Sequence, residues 1–180
     1  MVRALLLPLA VFAAALPGCG SGAAATNDNG GLPALTGRVV DGADLLPAPE
    51  EARLAAQLAA LEKSTGDQLV VVTVPSLEGE PIEKFGLRLG RGWKIGQKGL
   101  NNGVLLIVAP NDRQVRIEVG YGLEGLLTDG RAKAIIDTRL LPRFRHGDFS
   151  EAIAAGTRSI SALLESDRRR PRPLPVKKAA

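Results

Sequence analysis

Side chains that usually carry chemistry are scarce here: the 180 residues include one cysteine, one histidine, one tryptophan and one tyrosine. Cys19 has no second cysteine with which to form an internal disulfide. His146 falls in Arg145-His146-Gly147 between two helical patterns, where exposure is expected, and no Gly-x-Ser-x-Gly occurs. Nucleophilic catalysis therefore finds little support. Aromatics make up only 3% of the chain, so a core must rest on Leu, Val, Ile and Ala. A 45% hydrophobic content over this length suits one globular domain with appendages rather than two domains. A basic domain is missing too. Residues 168–180 hold six basic groups and no acid, and setting them aside turns the formal charge of +4 into −2. A nucleic-acid binder needs its positive face on the domain itself, so no nucleic-acid partner is expected.

The first 19 residues read as an export signal. Arg3 supplies the positive end and residues 4–16 the apolar stretch, too short and too proline-interrupted to span a bilayer. Leu16-Pro17-Gly18-Cys19 resembles a bacterial lipobox, which would mark Cys19 for lipidation; a plain cleaved signal is the alternative. Nothing later qualifies as a transmembrane helix, so lipid would be the membrane anchor, with the protein in the periplasm or at the cell surface. Residues 20–37, rich in Gly, Ala and Asn, read as a flexible tether. Residues 166–180 read as a basic, proline-rich, disordered tail, either merely solvated or drawn to anionic lipid.

Between these appendages, residues 38–165 alternate helix and strand signals. An entry segment, residues 39–46, docks its apolar side chains. A helix over 49–64 follows, with Leu54, Leu58 and Leu61 on one face and Gly66 as its end. Residues 68–74 form a β-branched strand, residues 81–93 a helix carrying Ile82, Phe85, Leu89 and Trp93, and residues 103–109 a strand buried on both faces. Together they make one right-handed βαβ crossover. Residues 114–119 alternate strictly, with Val115, Ile117 and Val119 on one side, and so predict an antiparallel return strand. Thr128 or Asp129 should cap a helix to about Leu141, residues 142–147 break it, and a last helix runs through 165. The expected fold is α/β, a small mixed β-sheet sandwiched between helices.

The hairpin is the place to look for a site. Its return strand should bring Glu118, Tyr121, Glu124 and Asp129 towards Asn101 and Asn102. With Asp41, or Asp44 in its place, these offer the all-oxygen donors that a hard cation such as calcium requires. The plainer alternative is that Asp129 caps a helix, Glu118 pairs with Arg116 or Arg113, and Asp41 bonds a turn. Residues 120–125 match G-x-G-x-x-G, but the preceding strand is the return arm of a hairpin, not part of a parallel βαβ unit. Those glycines are expected to permit a sharp, positive-φ turn presenting Tyr121 and Glu124.

An ordered run of motifs resembles the TPM domain. It comprises Val40-Asp41 with Leu45-Leu46, Trp93-Lys94-Ile95-Gly96, Lys98-Gly99 with Asn101-Asn102-Gly103, then residues 116–124, Asp129, and Pro142-Arg143-Phe144 with Gly147-Asp148-Phe149. That family is named for a thylakoid-lumen phosphatase, a photosystem II repair protein and a modulator of nicotinic receptors. The resemblance implies an extracytoplasmic α/β sandwich tethered to a membrane, with a divalent cation held by acids in several members. It implies an accessory role towards envelope or membrane proteins, or alternatively a weak metal-dependent phosphatase using the same acids. In the second case Arg113 and Arg116 would be the phosphate-binding pair. Many bacterial relatives carry a transmembrane helix and a glycine-rich tail after the domain; this sequence shows neither, and Cys19 would replace that anchor.

Overall fold

The computed structural model describes residues 31–167. The segment expected to be an export signal, Cys19, most of the expected tether and nearly all of the basic tail lie outside them. Four strands form one sheet in the order β1-β2-β3-β4: β1 (Val39–Asp41), β2 (Gln68–Thr73), β3 (Gly103–Ala109) and β4 (Gln114–Val119). The first three are parallel, and β4 returns antiparallel to β3 with Val104 opposite Val119 and Ala109 opposite Gln114. The α/β sandwich is thus the one that the alternation of patterns predicts.

Burial on both faces follows from the composition of the central strands. Every residue of β3 is buried, as its unbroken apolar run requires. Leu69, Val71, Leu106 and Val108 point to a layer made by α1 (Ala48–Thr65), α3 (Asp129–Ile135) and α5 (Phe149–Ser166). Val70, Val72, Leu105 and Ile107 point to α2 (Ile82–Gly92), which buries Phe85 and Leu89 against them. Helix α1 starts behind Pro47 with Glu50 and Glu51 at its positive end. It stops at Gly66, where φ is 82° and the N–H donates to the Glu62 carbonyl.

Three local expectations need correction. Pro142 does not break the helix after Asp129. Residues Ile136–Leu140 widen into a π turn, and α4 (Leu141–Phe144) continues from it with Pro142 in its first turn. The wide turn directs the Leu141 N–H to the carbonyl five residues back, and the proline ring is accommodated where a regular helix would clash. Strand β4 is not one-faced either: Arg116 and Glu118 are half-buried on the α2 side, bonded to each other at 2.6 Å. The tether also ends earlier than its composition suggests. Leu32 is buried against α2, and the Trp93 indole N–H donates to the Pro33 carbonyl at 3.0 Å.

Candidate functional site

The loop that joins α2 to β3 is built before any functional side chain is placed. Lys94, Gly96, Gly99 and Asn101 all take positive φ, so this loop coils tightly. Asn102, only 4% exposed, holds it. Its Oδ1 accepts from the Gln97 N–H at 2.8 Å, and its Nδ2 donates to the Gly66 carbonyl and to Asp67 Oδ1. Gln68 does the same from β2, accepting from the Gly96 N–H at 2.7 Å while donating to Glu62. A low-dielectric polar network of this kind fixes one loop conformation because each missing bond would leave a buried group unpaired. The loop then meets the glycine turn after β4. A Cβ on Gly120 or Gly122 would overlap the main chain of Asn101 or Leu100, so these glycines serve close approach. None of Gly120, Gly122 and Gly125 has positive φ, which corrects the expected turn geometry.

These two segments and α2 frame an open groove of about 650 Å³. Glu118, Tyr121 and Glu124 line it together with Asn101, as the hairpin argument anticipates. Arg91, Lys94 and Lys98 line it from the α2 side. Tyr121 is 80% exposed, and the other exposed apolar groups nearby are Leu87 at its wall and Leu100, whose backbone Gly122 touches.

The remaining expected site residues are placed elsewhere. Asp41 pairs with Thr73, which pairs with Val108, so it sits at the carboxyl ends of the parallel strands. Glu118 lies opposite Leu105, three positions nearer the amino end of β3 and three strands across. Both Asp41 oxygens are already bonded: they accept from the Leu45 and Leu46 N–H groups at 3.1 and 2.7 Å, and Oδ1 also from the Thr73 hydroxyl. Asp44 lines a separate depression with Glu50 and Glu151. Asp129 is exposed in the first turn of α3 beside its cap Thr128, on the opposite layer from α2. Asn102 has its amide oxygen committed to Gln97. Among the described residues no three His, Cys, Asp or Glu side chains gather as a metal-holding group. The five-residue calcium set therefore does not fit this arrangement as one cluster; only Glu118 and Glu124 share a groove. The two arginines are also parted. Arg116 is held by Glu118 and, at 3.6 Å, by Glu83, whereas Arg113 sits in the turn at the other end of the hairpin.

Sequence reasoning missed Asp67, Gln68 and Gln97, because polar residues at the edges of elements show no periodicity. The signal available was the concentration of amides around the glycines at 96, 99 and 103.

A parallel sheet with one antiparallel edge, covered by α2 on one face and by α1, α3 and α5 on the other, defines an α/β sandwich with its loops gathered at the strand ends. The TPM domain family model matches residues 39–163, and the chain belongs to that family. Its fold is similar to the N-terminal domain of a protein from P. gingivalis, at a TM-score of 0.67 and 39% identity, over 71% of this chain and 82% of that one. It is also similar to the BA42 protein of the psychrophilic bacterium Bizionia argentinensis, at a TM-score of 0.57 and 21% identity, over 66% of this chain and 81% of that one. An N-terminal domain from Corynebacterium glutamicum matches at a TM-score of 0.56 and 18% identity, over 71% of this chain and 79% of that one. The last two show the fold alone. No curated protein matches the chain.

Proposed function

We propose that this chain is an exported bacterial TPM-domain lipoprotein, anchored through Cys19, that serves as an accessory to envelope or membrane proteins by binding them in the groove between α2 and the glycine turn. One observation carries the reading: of the four large apolar side chains left exposed among the described residues, Tyr121 and Leu87 line this groove, and Leu100 is the chain neighbour of Asn101, which also lines it. An exposed tyrosine with leucines and a mixed-charge rim is the composition of a protein-binding patch. Glu118 is neutralised by Arg116, and Arg91, Lys94 and Lys98 offer cations to an acidic segment. A metal-dependent phosphatase on the expected acids has less behind it, since the donors for the ion are divided between the two ends of the sheet.

The test is a photo-crosslinking side chain in place of Tyr121, with the same group in place of the exposed Gln57 on α1 as control. A discrete adduct in cells from position 121, absent from position 57 and lost with Leu100→Glu, is the expected result. Equal adducts from both positions, or none, would remove the groove as the binding surface. Calcium titrated into the same protein distinguishes the cation reading. Saturable amide shifts at 101–103 and 118–124, abolished by Glu124→Ala, would make a divalent cation the groove's occupant; unmoved amides leave it to a protein.

A further inference from the structure

A second cavity opens at the opposite end of the hairpin and is independent of the groove. It measures about 440 Å³, within the range of small-ligand sites, and lies between the β3–β4 turn, α4 and the start of α5. Val108, Val115, Leu141, Phe144 and Phe149 form its apolar wall. The two phenylalanine rings stand 5.2 Å apart, tilted by 33°. Only two charged side chains line it, Arg113 and Arg145.

Those two guanidiniums differ from seven of the nine other arginines among the described residues. Arg38, Arg53, Arg88, Arg116 and Arg158 each pair with a glutamate. Arg131 and Arg143 donate to main-chain carbonyls. Among the described residues neither Arg113 nor Arg145 has an acid partner. Asp112, next to Arg113, is turned away and accepts from the Leu77 N–H at 2.8 Å and the Ser76 hydroxyl. Asp148 lines the neighbouring depression with Glu50 and Glu151. Arg113 also holds a φ of 53°, at a turn position where glycine or asparagine is the usual occupant. An arginine kept there against its backbone preference points to a use for its side chain.

We propose that this cavity is a binding site for an apolar carboxylate, whose body packs on Phe144 and Phe149 while Arg113 and Arg145 hold its anionic head. Arginine meets a carboxylate with two parallel N–H···O bonds, and an aromatic floor favours an aliphatic or aromatic body. A monoanion fits better than a phosphate monoester, because the second charge would be desolvated against an apolar wall.

The full chain is titrated with N-acetyl-phenylalanine and with its neutral carboxamide, following backbone amides by NMR. The acid is expected to shift residues 108–115 and 141–149 saturably and to bind about tenfold more tightly than the amide. Arg113→Gly suits the positive φ and so keeps the fold; it should weaken the acid about tenfold and leave the amide unchanged. Decanoate separates the sources of such a ligand: tighter binding than N-acetyl-phenylalanine indicates an acyl chain, weaker binding a peptide carboxyl end. Equal affinity of acid and amide, no effect of Arg113→Gly, or phenyl phosphate binding above both carboxylates would each overturn the proposal.

Discussion

Asn102 shows how one side chain can decide a site without lining it. Its amide bridges the end of α1, the buried Asp67 and the α2–β3 loop, a role that Asp or Ala cannot fill, since both a donor and an acceptor are needed. Asn102→Ala should lower stability by about 2–3 kcal/mol in urea unfolding, because the Gln97 N–H loses its buried acceptor and the Gly66 carbonyl keeps only the longer bond from the Gln97 side chain. Amide exchange across residues 94–101 should accelerate in the same variant. Asp41 makes the complementary point. In the sequence it is an acid beside a strand, whereas in the structure its oxygens are occupied by the turn that follows β1.

At the level of elements, α2 carries more than its own apolar stripe. The stripe at Ile82, Phe85 and Leu89 docks on the sheet, and Trp93 extends it to hold the segment at Leu32 and Pro33. That segment therefore leaves the domain beside α2, on the layer that also forms the groove wall. Trp93→Phe keeps most of the apolar contact and removes the indole donor, so a loss of about 1 kcal/mol is expected. The sharper readout is limited proteolysis, with cleavage near Leu35 accelerating as the strap loosens. The π turn between α3 and α4 is a second element-scale device. It lets the helix pass Pro142 and deliver Phe144 and Arg145 to the second cavity, where an ordinary break would have ended the chain's course.

For the molecule as a whole, ion pairs decorate both layers, and two of them contribute to the response to acid. On α1 the carboxyl of Glu50 is held below its usual value by the Arg53 guanidinium, and before α2 that of Glu80 is lowered by Arg88. A depressed carboxylate pKa stabilises the folded state above the unfolded value and loses that contribution as pH falls through the folded one. Melting temperature should therefore stay level from neutral pH down to the ordinary glutamate value of 4.5 and decline below it. Glu80→Gln should melt lower than the parent at neutral pH, and the two curves should converge in acid. Divergence at low pH instead would assign the acid limb to other groups.

How much was legible depended on the kind of force involved. Buried strands β2 and β3, the stripe of α2 and the alternation of β4 are hydrophobic patterns, and each can be read along the chain because burial repeats with the period of its element. The mixed sheet, its two covered faces and the gathering of Glu118, Tyr121 and Glu124 at one end of the hairpin follow from those patterns. Which acids share an end of the sheet does not. That depends on register and on packing in space, where Asp41 finds Thr73 and the adjacent turn, and where Arg113 lines one cavity with Arg145 rather than with Arg116. The same holds for the glycines at 120 and 122, required by the nearness of another loop's main chain rather than by their own φ. Local periodicity determined the elements and their layers. Only tertiary structure decided the sites, because a polar side chain's partners are set by distance in space, which the order of residues does not encode.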